Sequence, residues 1–166
     1  NSKEKYSTSV NKLLLSLNTI RKMLIRSEDV NKLFKETCRL LVQSGGFSFV
    51  CLGVFDTKSN RIIPNCYWNG DDKYSELLNS YNFGEEITGD PIKETIMEGR
   101  CFVCNNVNNN DHELTKKALK LGLNSYVSIP ITKFESVIGV INIFSCMDDI
   151  FSKVIIQILA ELADDL

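Results

Sequence analysis

Two strand-like segments in the last third of the sequence, separated by a short polar break, constrain the fold most strongly. They run from Asn124 to Ile131 and from Val137 to Cys146, and both are rich in β-branched and aromatic residues. Segments of this composition on either side of a polar break at Thr132 to Ser136 predict an antiparallel β-hairpin. We expect the other elements of the chain to pack on this hairpin.

The predicted hairpin has two faces of different chemistry, because side chains alternate across a strand. The aliphatic face, which includes one glycine, carries Val127, Ile129, Ile131, Gly139, Ile141 and Ile143. The mixed face combines aromatic rings with a hydroxyl and an amide, and carries Tyr126, Ser128, Pro130, Val140, Asn142 and Phe144. A small-molecule site needs apolar walls and a few convergent polar groups, so we expect a ligand on the mixed face.

The charges of this 166-residue chain are balanced and dispersed. Its 19 basic and 21 acidic residues give a net charge of -2 and are interspersed, so no basic stripe is available to hold a phosphate backbone. No run approaches the roughly 20 apolar residues of a membrane span, and the N-terminus has no apolar segment with a cleavage site. These features argue against nucleic-acid binding and against membrane contact.

The six cysteines lie inside apolar helix or strand patterns, which is not the arrangement of a small disulfide scaffold. They are Cys38, Cys51, Cys66, Cys101, Cys104 and Cys146. We interpret them as reduced core thiols, which predicts a cytoplasmic location. Cys101 and Cys104 have the C-x-x-C spacing of zinc and redox sites, but residues three apart in a strand point to opposite faces and no second pair matches. With His112 as the only histidine, in or beside a polar loop, we predict no metal and no cofactor.

Two series of apolar residues at spacings of three and four are typical of a two-stranded coiled coil. The first series consists of Tyr6, Val10, Leu13, Leu17, Ile20 and Leu24, and the second of Phe151, Ile155, Ile158 and Leu162. We predict a signalling helix over residues 1–27, a sensor domain over residues 28–166, and a parallel homodimer held by both series. The alternative is an amphipathic helix that packs on its own domain. Because the sequence starts without methionine and stops inside a helical pattern, we expect a piece of a longer protein.

Strands and helices also alternate between these two ends. Ser27 is the predicted N-cap of a second helix, Pro64 indicates an edge strand, and Asp90 is the predicted N-cap of a helix that begins at Pro91 and ends at Gly99. Strands are predicted at Phe47–Phe55, Arg61–Trp68 and Cys101–Cys104, a short helix and loop at Asn69–Tyr81, and a helix at Glu113–Leu121. Together with the hairpin, these elements predict an α+β domain with five or six antiparallel strands.

The chain resembles the GAF domains of bacterial signalling proteins over roughly Asp29 to Leu166. The resemblance rests on these segments in this order: Asp90-Pro91, Glu94-Thr95, Gly99-Arg100, Phe102 to Asn105, Ala118-Leu119, Gly122, Ser125 to Pro130, and Ile138 to Asn142. The closing Phe151 and Leu159 to Leu166 look like the exit helix of GAF domains that precede diguanylate cyclase, phosphodiesterase or histidine kinase modules.

The resemblance implies a six-stranded antiparallel sheet with the terminal helices on one face and a helix-roofed pocket on the other. It also implies that other strands and the roof join Tyr126, Ser128, Asn142 and Phe144 in one ligand site. The added residues are Phe49, Cys51, Trp68, Ile92, Thr95, Ile96, Phe102 and Asn105. The alternative is a filled core in which Asn142 and Ser128 satisfy backbone groups.

These implications predict a non-catalytic sensor that transmits the state of its pocket through its terminal helices to an output domain, in cyclic di-GMP or kinase signalling. One alternative is an enzyme, because some GAF domains are free methionine-(R)-sulfoxide reductases. The cysteine motifs of those enzymes are missing at Gly89 to Ile92 and at Gly122 to Asn124. Another alternative is a dimerisation spacer without a ligand.

Overall fold

A single antiparallel sheet lies between two layers of helices in the computed structural model, which describes residues 2–59, 61–68, 74, 77, 91–109 and 112–166. The helices are α1 (Ser2–Arg26), α2 (Val30–Gln43), α3 (Pro91–Glu98), α4 (Glu113–Lys120) and α5 (Lys153–Asp165). The strands are β1 (Phe49–Asp56), β2 (Arg61–Trp68), β3 (Phe102–Cys104), β4 (Ser125–Lys133) and β5 (Ser136–Ser145). A 3-10 helix, Val107–Asn109, precedes α4. The predicted cap at Asp90, and the predicted helix and loop between Asn69 and Tyr81 except Tyr74 and Leu77, lie outside the described residues.

The sheet has the strand order β2-β1-β5-β4-β3, and every neighbouring pair is antiparallel. The predicted α+β class is therefore confirmed. The prediction of six strands is wrong for the described residues, which contain five, because no sixth segment there pairs with the sheet. Pro64 lies on the edge strand β2, where a residue without a backbone N–H donor is tolerated.

The hairpin predicted from the sequence is β4 and β5, and its two faces are those predicted. Val127, Ile129, Ile131, Ile141 and Ile143 are buried beneath α1, α2 and α5. Here the sheet residues join Leu13, Leu17, Ile20, Cys38, Leu41, Val50, Leu52, Phe151, Ile155 and Leu162, among others, in what we call the helix-layer core. The other face of the sheet carries the mixed-face core, whose members include Phe49, Cys51, Leu77, Ile92, Cys104, Leu114, Ala118, Tyr126, Val140 and Phe144.

The apolar series of α1 is buried within its own chain. Leu13, Leu17 and Ile20 are at most 3% exposed, because α1 packs against α2 and α5. Val10 and Leu24 pack at the margin of the same core, and the side chain of Tyr6 lies outside what the structure describes. The second series is buried in the same way (Phe151, Ile155, Ile158 and Leu162). An amphipathic helix packed on its own domain thus accounts for both series, and the homodimer stays a prediction.

Polar contacts fix the two terminal helices side by side. Arg21 on α1 forms a 3.0 Å ion pair with Asp165 on α5 and lies 3.8 Å from Glu161. The predicted division at residue 27 falls between α1 and α2, and the helix-layer core extends across it.

Helix α2 begins at a different cap from the one predicted. The N-cap is Asp29, whose Oδ1 accepts hydrogen bonds from the backbone N–H groups of Asn31 and Lys32. Ser27 is still tied to the end of α1, since its backbone N–H donates to the carbonyl of Met23. The prediction of Ser27 as the cap is therefore wrong: Asp29 is the residue directly before the helix.

None of the helices in the described residues combines the length and the hydrophobicity that crossing a membrane requires.

Candidate functional site

Three rows of side chains cross the mixed face, because the strands pair in register. The first row runs from β3 to β1 and contains Cys104, Tyr126, Phe144 and Phe49. The second row contains Phe102, Ser128, Asn142, Cys51 and Tyr67. The third row contains Pro130, Val140 and Gly53. The polar side chains of the hairpin therefore form the middle row, between an aromatic row and an apolar one.

Aromatic rings form a nearly continuous wall across all five strands. Tyr126 stacks on Phe144 with ring centroids 5.1 Å apart and an interplanar angle of 17°. Phe102 lies 5.7 Å from Tyr126, and Phe49 lies 5.8 Å from Phe144 and 6.4 Å from Tyr67. Phe49, Tyr126 and Phe144 are 0% exposed, so these rings form the packed centre of the mixed-face core.

The middle row holds two buried polar side chains. Ser128 and Asn142 are both 0% exposed and lie opposite each other on β4 and β5. The hydroxyl of Ser128 and both amide atoms of Asn142 have no hydrogen-bond partner among the described residues. Burying such a group without a partner costs about 1–3 kcal/mol. The mixed-face core is packed around these two side chains, as in the filled-core alternative, but among the described residues they do not satisfy backbone groups.

Helix α3 covers part of this face. It packs over β4 and β5, and its residues Ile92 and Thr95 are buried while Ile96 is half-buried against the mixed-face core. The Thr95 hydroxyl donates to the carbonyl of Pro91 at 2.8 Å, which satisfies its proton within the helix. Pro91 is the first residue of α3, as predicted. The three predicted roof residues therefore lie over the face that carries Asn142.

Trp68 was predicted on the mixed face, but it lies on the opposite face of the sheet. Trp68 pairs with Val50 and packs against the helix-layer core. A β-bulge at Leu52 and Gly53 shifts the register of β2, so Ile62 faces the mixed-face core although it has the same parity as Trp68. Tyr67 takes the place that the family resemblance implied for Trp68, because neither the resemblance nor the sequence reveals the bulge.

Asn105 is also not free to bind a ligand. Its Nδ2 donates to the carbonyl of Phe151, and its Oδ1 accepts from the backbone N–H of Phe151, both at 3.0 Å. Its own backbone carbonyl accepts from the N–H of Asp149 at 3.0 Å. The predicted ligand contact is therefore replaced by a structural link between the end of β3 and the segment before α5.

The two cysteines of the C-x-x-C sequence lie on opposite sides of the sheet, as the strand argument predicts. Cys101 packs against the helix-layer core, and Cys104 is buried in the mixed-face core. Burial raises the pKa of both thiols. Cys146 is exposed, so its prediction as a core thiol is wrong. Within the described part of the chain, no three His, Cys, Asp or Glu side chains converge as a metal site would require.

Two cavities open beside helices of the described chain. One of about 490 Å³ lies between α1 and α2 and is lined by Thr19, Lys22, Met23, Arg26, Ser27, Lys32, Leu33 and Glu36. It borders the helix layer and does not involve Ser128 or Asn142. The other, about 140 Å³, is lined by Glu94, Thr95, Glu98, Arg100, Cys101 and Phe102. It lies beside α3 and shares Thr95 and Phe102 with the predicted site.

Comparisons with known proteins agree with this architecture. The family model described as GAF domain matches residues 27–166. The GAF domain of a phosphoenolpyruvate-protein phosphotransferase from Coxiella burnetii is similar in structure, with a TM-score of 0.72 and 13% identity over 93% of this chain and 90% of that one. The corresponding Acinetobacter domain has a TM-score of 0.69 and 11% identity over 92% of this chain and 88% of its own.

An enzyme is similar to the same degree. The free methionine-R-sulfoxide reductase from Neisseria meningitidis, solved in complex with its substrate, has a TM-score of 0.69 and 19% identity over 90% of this chain and 82% of that one. No curated protein sequence matches the chain. At these identities the similarity is one of fold, and one fold can host several functions.

Proposed function

Because this chain belongs to the GAF domain family, we propose that it is a non-catalytic sensor module that binds a small molecule on the mixed face of its sheet. The observation that carries the proposal is the pair Ser128 and Asn142, buried opposite each other without partners in the described part of the chain. A ligand with both hydrogen-bond donors and acceptors would satisfy them, and its apolar part would rest on the aromatic wall.

The position of Asn142 supports a ligand contact over a packing role. Its neighbours on β5, Val140, Ile141, Ile143 and Phe144, are all apolar. An amide side chain at this position is therefore not required for the packing of the strand. A polar group that has no structural partner and costs stability is a common feature of binding sites.

A first experiment needs no ligand. Asn142→Leu removes both unsatisfied amide atoms and nearly keeps the side-chain volume. We therefore expect the free energy of unfolding of the unliganded chain to stay the same or to increase by up to about 1–3 kcal/mol. The matched control is Asn105→Leu, which breaks two hydrogen bonds and should lose stability. Urea unfolding measures both changes. A loss of several kcal/mol in Asn142→Leu would show that Asn142 serves the fold, and would contradict the proposal.

The same comparison can be made on β4. Ser128→Ala removes a hydroxyl that has no partner in the described residues, whereas Ser125→Ala removes one that donates to the carbonyl of Met147 at 2.6 Å.

Thermal-shift screening of metabolites then identifies the ligand, since a compound at a hundred times its dissociation constant stabilises the chain by about 2.7 kcal/mol. The shift should be lost in Asn142→Leu.

Asn105 provides a route from the pocket to an output domain. It directly follows Cys104 of the mixed-face core and holds the backbone of Phe151, two residues before α5 begins. A ligand that displaces β3 would therefore act on the start of α5, the exit helix. We propose an output module beyond this helix in a bacterial signalling protein, of the diguanylate cyclase, phosphodiesterase or histidine kinase type, and a cytoplasmic location consistent with the reduced cysteines.

A homodimer is part of the same proposal, but it needs contacts other than those of Leu13, Leu17 and Ile20. Helix α1 also presents Leu15, which is 67% exposed, and Leu14, which is 42% exposed. These side chains are available to a second copy without unfolding the helix layer. Sedimentation of the chain over a range of concentrations tests the dimer.

The second candidate is a sulfoxide reductase, favoured by the similarity to the Neisseria enzyme and by two thiols, Cys51 and Cys104, in the mixed-face core. The reacting form of such a thiol is the thiolate, and burial raises the pKa of Cys104. An assay for reduction of free methionine-(R)-sulfoxide separates the two candidates. Turnover that is lost in Cys51→Ser or Cys104→Ser would favour the enzyme.

A further inference from the structure

Two thiols meet between the helix layer and the edge of the sheet, on the side away from the proposed ligand site. The Sγ atoms of Cys38 on α2 and Cys66 on β2 are 3.5 Å apart. Both cysteines are reduced. Cys38 is fully buried and Cys66 is half-buried, so a small solute can reach one sulfur of the pair before the other.

The surroundings make the two sulfurs chemically unequal. A hydrogen bond from the Cys38 thiol lowers the pKa of Cys66, and the Leu52 backbone amide and the Lys35 ammonium group act in the same direction, against partial burial. The same hydrogen bond, together with full burial, raises the pKa of Cys38. Because the thiolate is the nucleophile in thiol chemistry and Cys66 is the more accessible of the two, we assign Cys66 as the attacking sulfur and Cys38 as the second, resolving one.

We propose that Cys38 and Cys66 are an oxidation site that a hydroperoxide converts into a reversible intramolecular disulfide between α2 and β2. The Cys66 thiolate attacks the peroxide, forms an S–O bond as the O–O bond breaks, and releases an alkoxide or hydroxide that takes a proton from solvent. Cys66 is then a sulfenic acid. The Cys38 sulfur attacks the Cys66 sulfur, forms the S–S bond and expels water, so two thiols and one hydroperoxide give one disulfide, one alcohol (or water) and one water.

The geometry favours a bond between these two cysteines. Closing the S–S bond to about 2.05 Å requires the two sulfurs to approach by about 1.5 Å, a small shift between elements that already pack together. The bond would join residues 28 apart and fix the edge strand β2 to α2, which also packs against α1. Such a closure restrains the unfolded chain and raises the melting temperature.

The test uses the reduced chain treated with one equivalent of hydrogen peroxide under native conditions, followed by alkylation and non-reducing peptide mapping. We expect a Cys38–Cys66 peptide pair that has lost two hydrogens, and a melting temperature several degrees higher that dithiothreitol reverses. Cys66→Ser should abolish both effects. Cys101→Ser, which removes another half-buried thiol, should keep both.

Two further variants make the outcome decisive. In Cys38→Ala, the sulfenic acid of Cys66 has no resolving thiol and should be trapped by dimedone. Lys35→Gln should slow alkylation of Cys66 a few-fold, whereas Lys32→Gln, which alters a neighbouring exposed lysine, should not. A disulfide between other cysteines, a bond that forms only in denaturant, or equal alkylation rates in the two lysine variants would overturn the proposal.

Discussion

At the scale of single residues, the tip of the β4–β5 hairpin is held in a conformation that its side chains disfavour. Phe134 has a φ of 49° and Glu135 a φ of 64°. Two successive positive φ angles in a two-residue loop are the pattern of a type I′ turn, for which Asn-Gly is preferred. The side chain of Phe134 is fully exposed, so no packing offsets the strain. The conformation of this turn is therefore fixed by the pairing of β4 with β5. The conformational preferences of Phe134 and Glu135 do not favour it.

This strain predicts a stabilising substitution. Glu135→Gly places a residue that tolerates positive φ in the turn, and we expect a gain of about 1 kcal/mol in the free energy of unfolding. Glu135→Ala keeps the strain and should change the stability by less than about 0.5 kcal/mol. Urea unfolding of both variants and the wild type measures the difference. A loss of stability in Glu135→Gly would mean that the Glu135 side chain itself holds the turn.

At the scale of elements, α1 shows what an apolar repeat specifies and what it leaves open. The spacing of Leu13, Leu17 and Ile20 correctly indicates a buried face, but the same spacing fits a partner helix from a second chain and a helix of the same chain. In the structure the partners are α2 and α5, and an ion pair from Arg21 to Asp165 adds to the packing.

Two aspartate substitutions on α1 separate the buried face from the exposed one. Leu17→Asp places a charge in the helix-layer core, and we expect a loss of more than about 3 kcal/mol. Leu15→Asp makes the same chemical change on the exposed side and should leave the unfolding curve nearly unchanged at low protein concentration. If the homodimer uses the exposed face, Leu15→Asp should also sediment as a monomer. A stable, monomeric Leu17→Asp would show instead that its partners belong to a second chain.

The sequence predicts most of the elements and one face of the site, for reasons that are local. Strict alternation in β4 and β5 places Tyr126, Ser128 and Asn142 on the mixed face without knowledge of any partner strand. Trp68 could not be placed in this way, because its face depends on a bulge in the pairing of β1 with β2. The role of Asn105 was also out of reach, since its partner Phe151 is 46 residues away.

At the scale of the whole molecule, the Asn105 side chain links the end of β3 to the segment that precedes α5. Its amide joins the end of β3 to the backbone of Phe151, whose ring stacks on Phe47 with centroids 5.8 Å apart. Signals between distant sites require an element whose arrangement both sites influence. In the proposed sensor, the hydrogen bonds between Asn105 and Phe151 would be the contact that couples the mixed face to the start of α5.

Removing this link should loosen the start of α5 without unfolding the sheet. Asn105→Ala removes two hydrogen bonds, and we expect this loss to lower the free energy of opening the first turn of α5 by about 1–3 kcal/mol. Hydrogen exchange at the Ile156 amide should then accelerate about 5- to 150-fold. The matched control is Asn124→Ala, whose side chain instead donates to the carbonyl of Cys146 at 2.8 Å. Exchange at Ile156 should be unchanged in that control. Equal acceleration in both variants would indicate general destabilisation, and no acceleration in Asn105→Ala would mean that α5 is held by the helix-layer core alone.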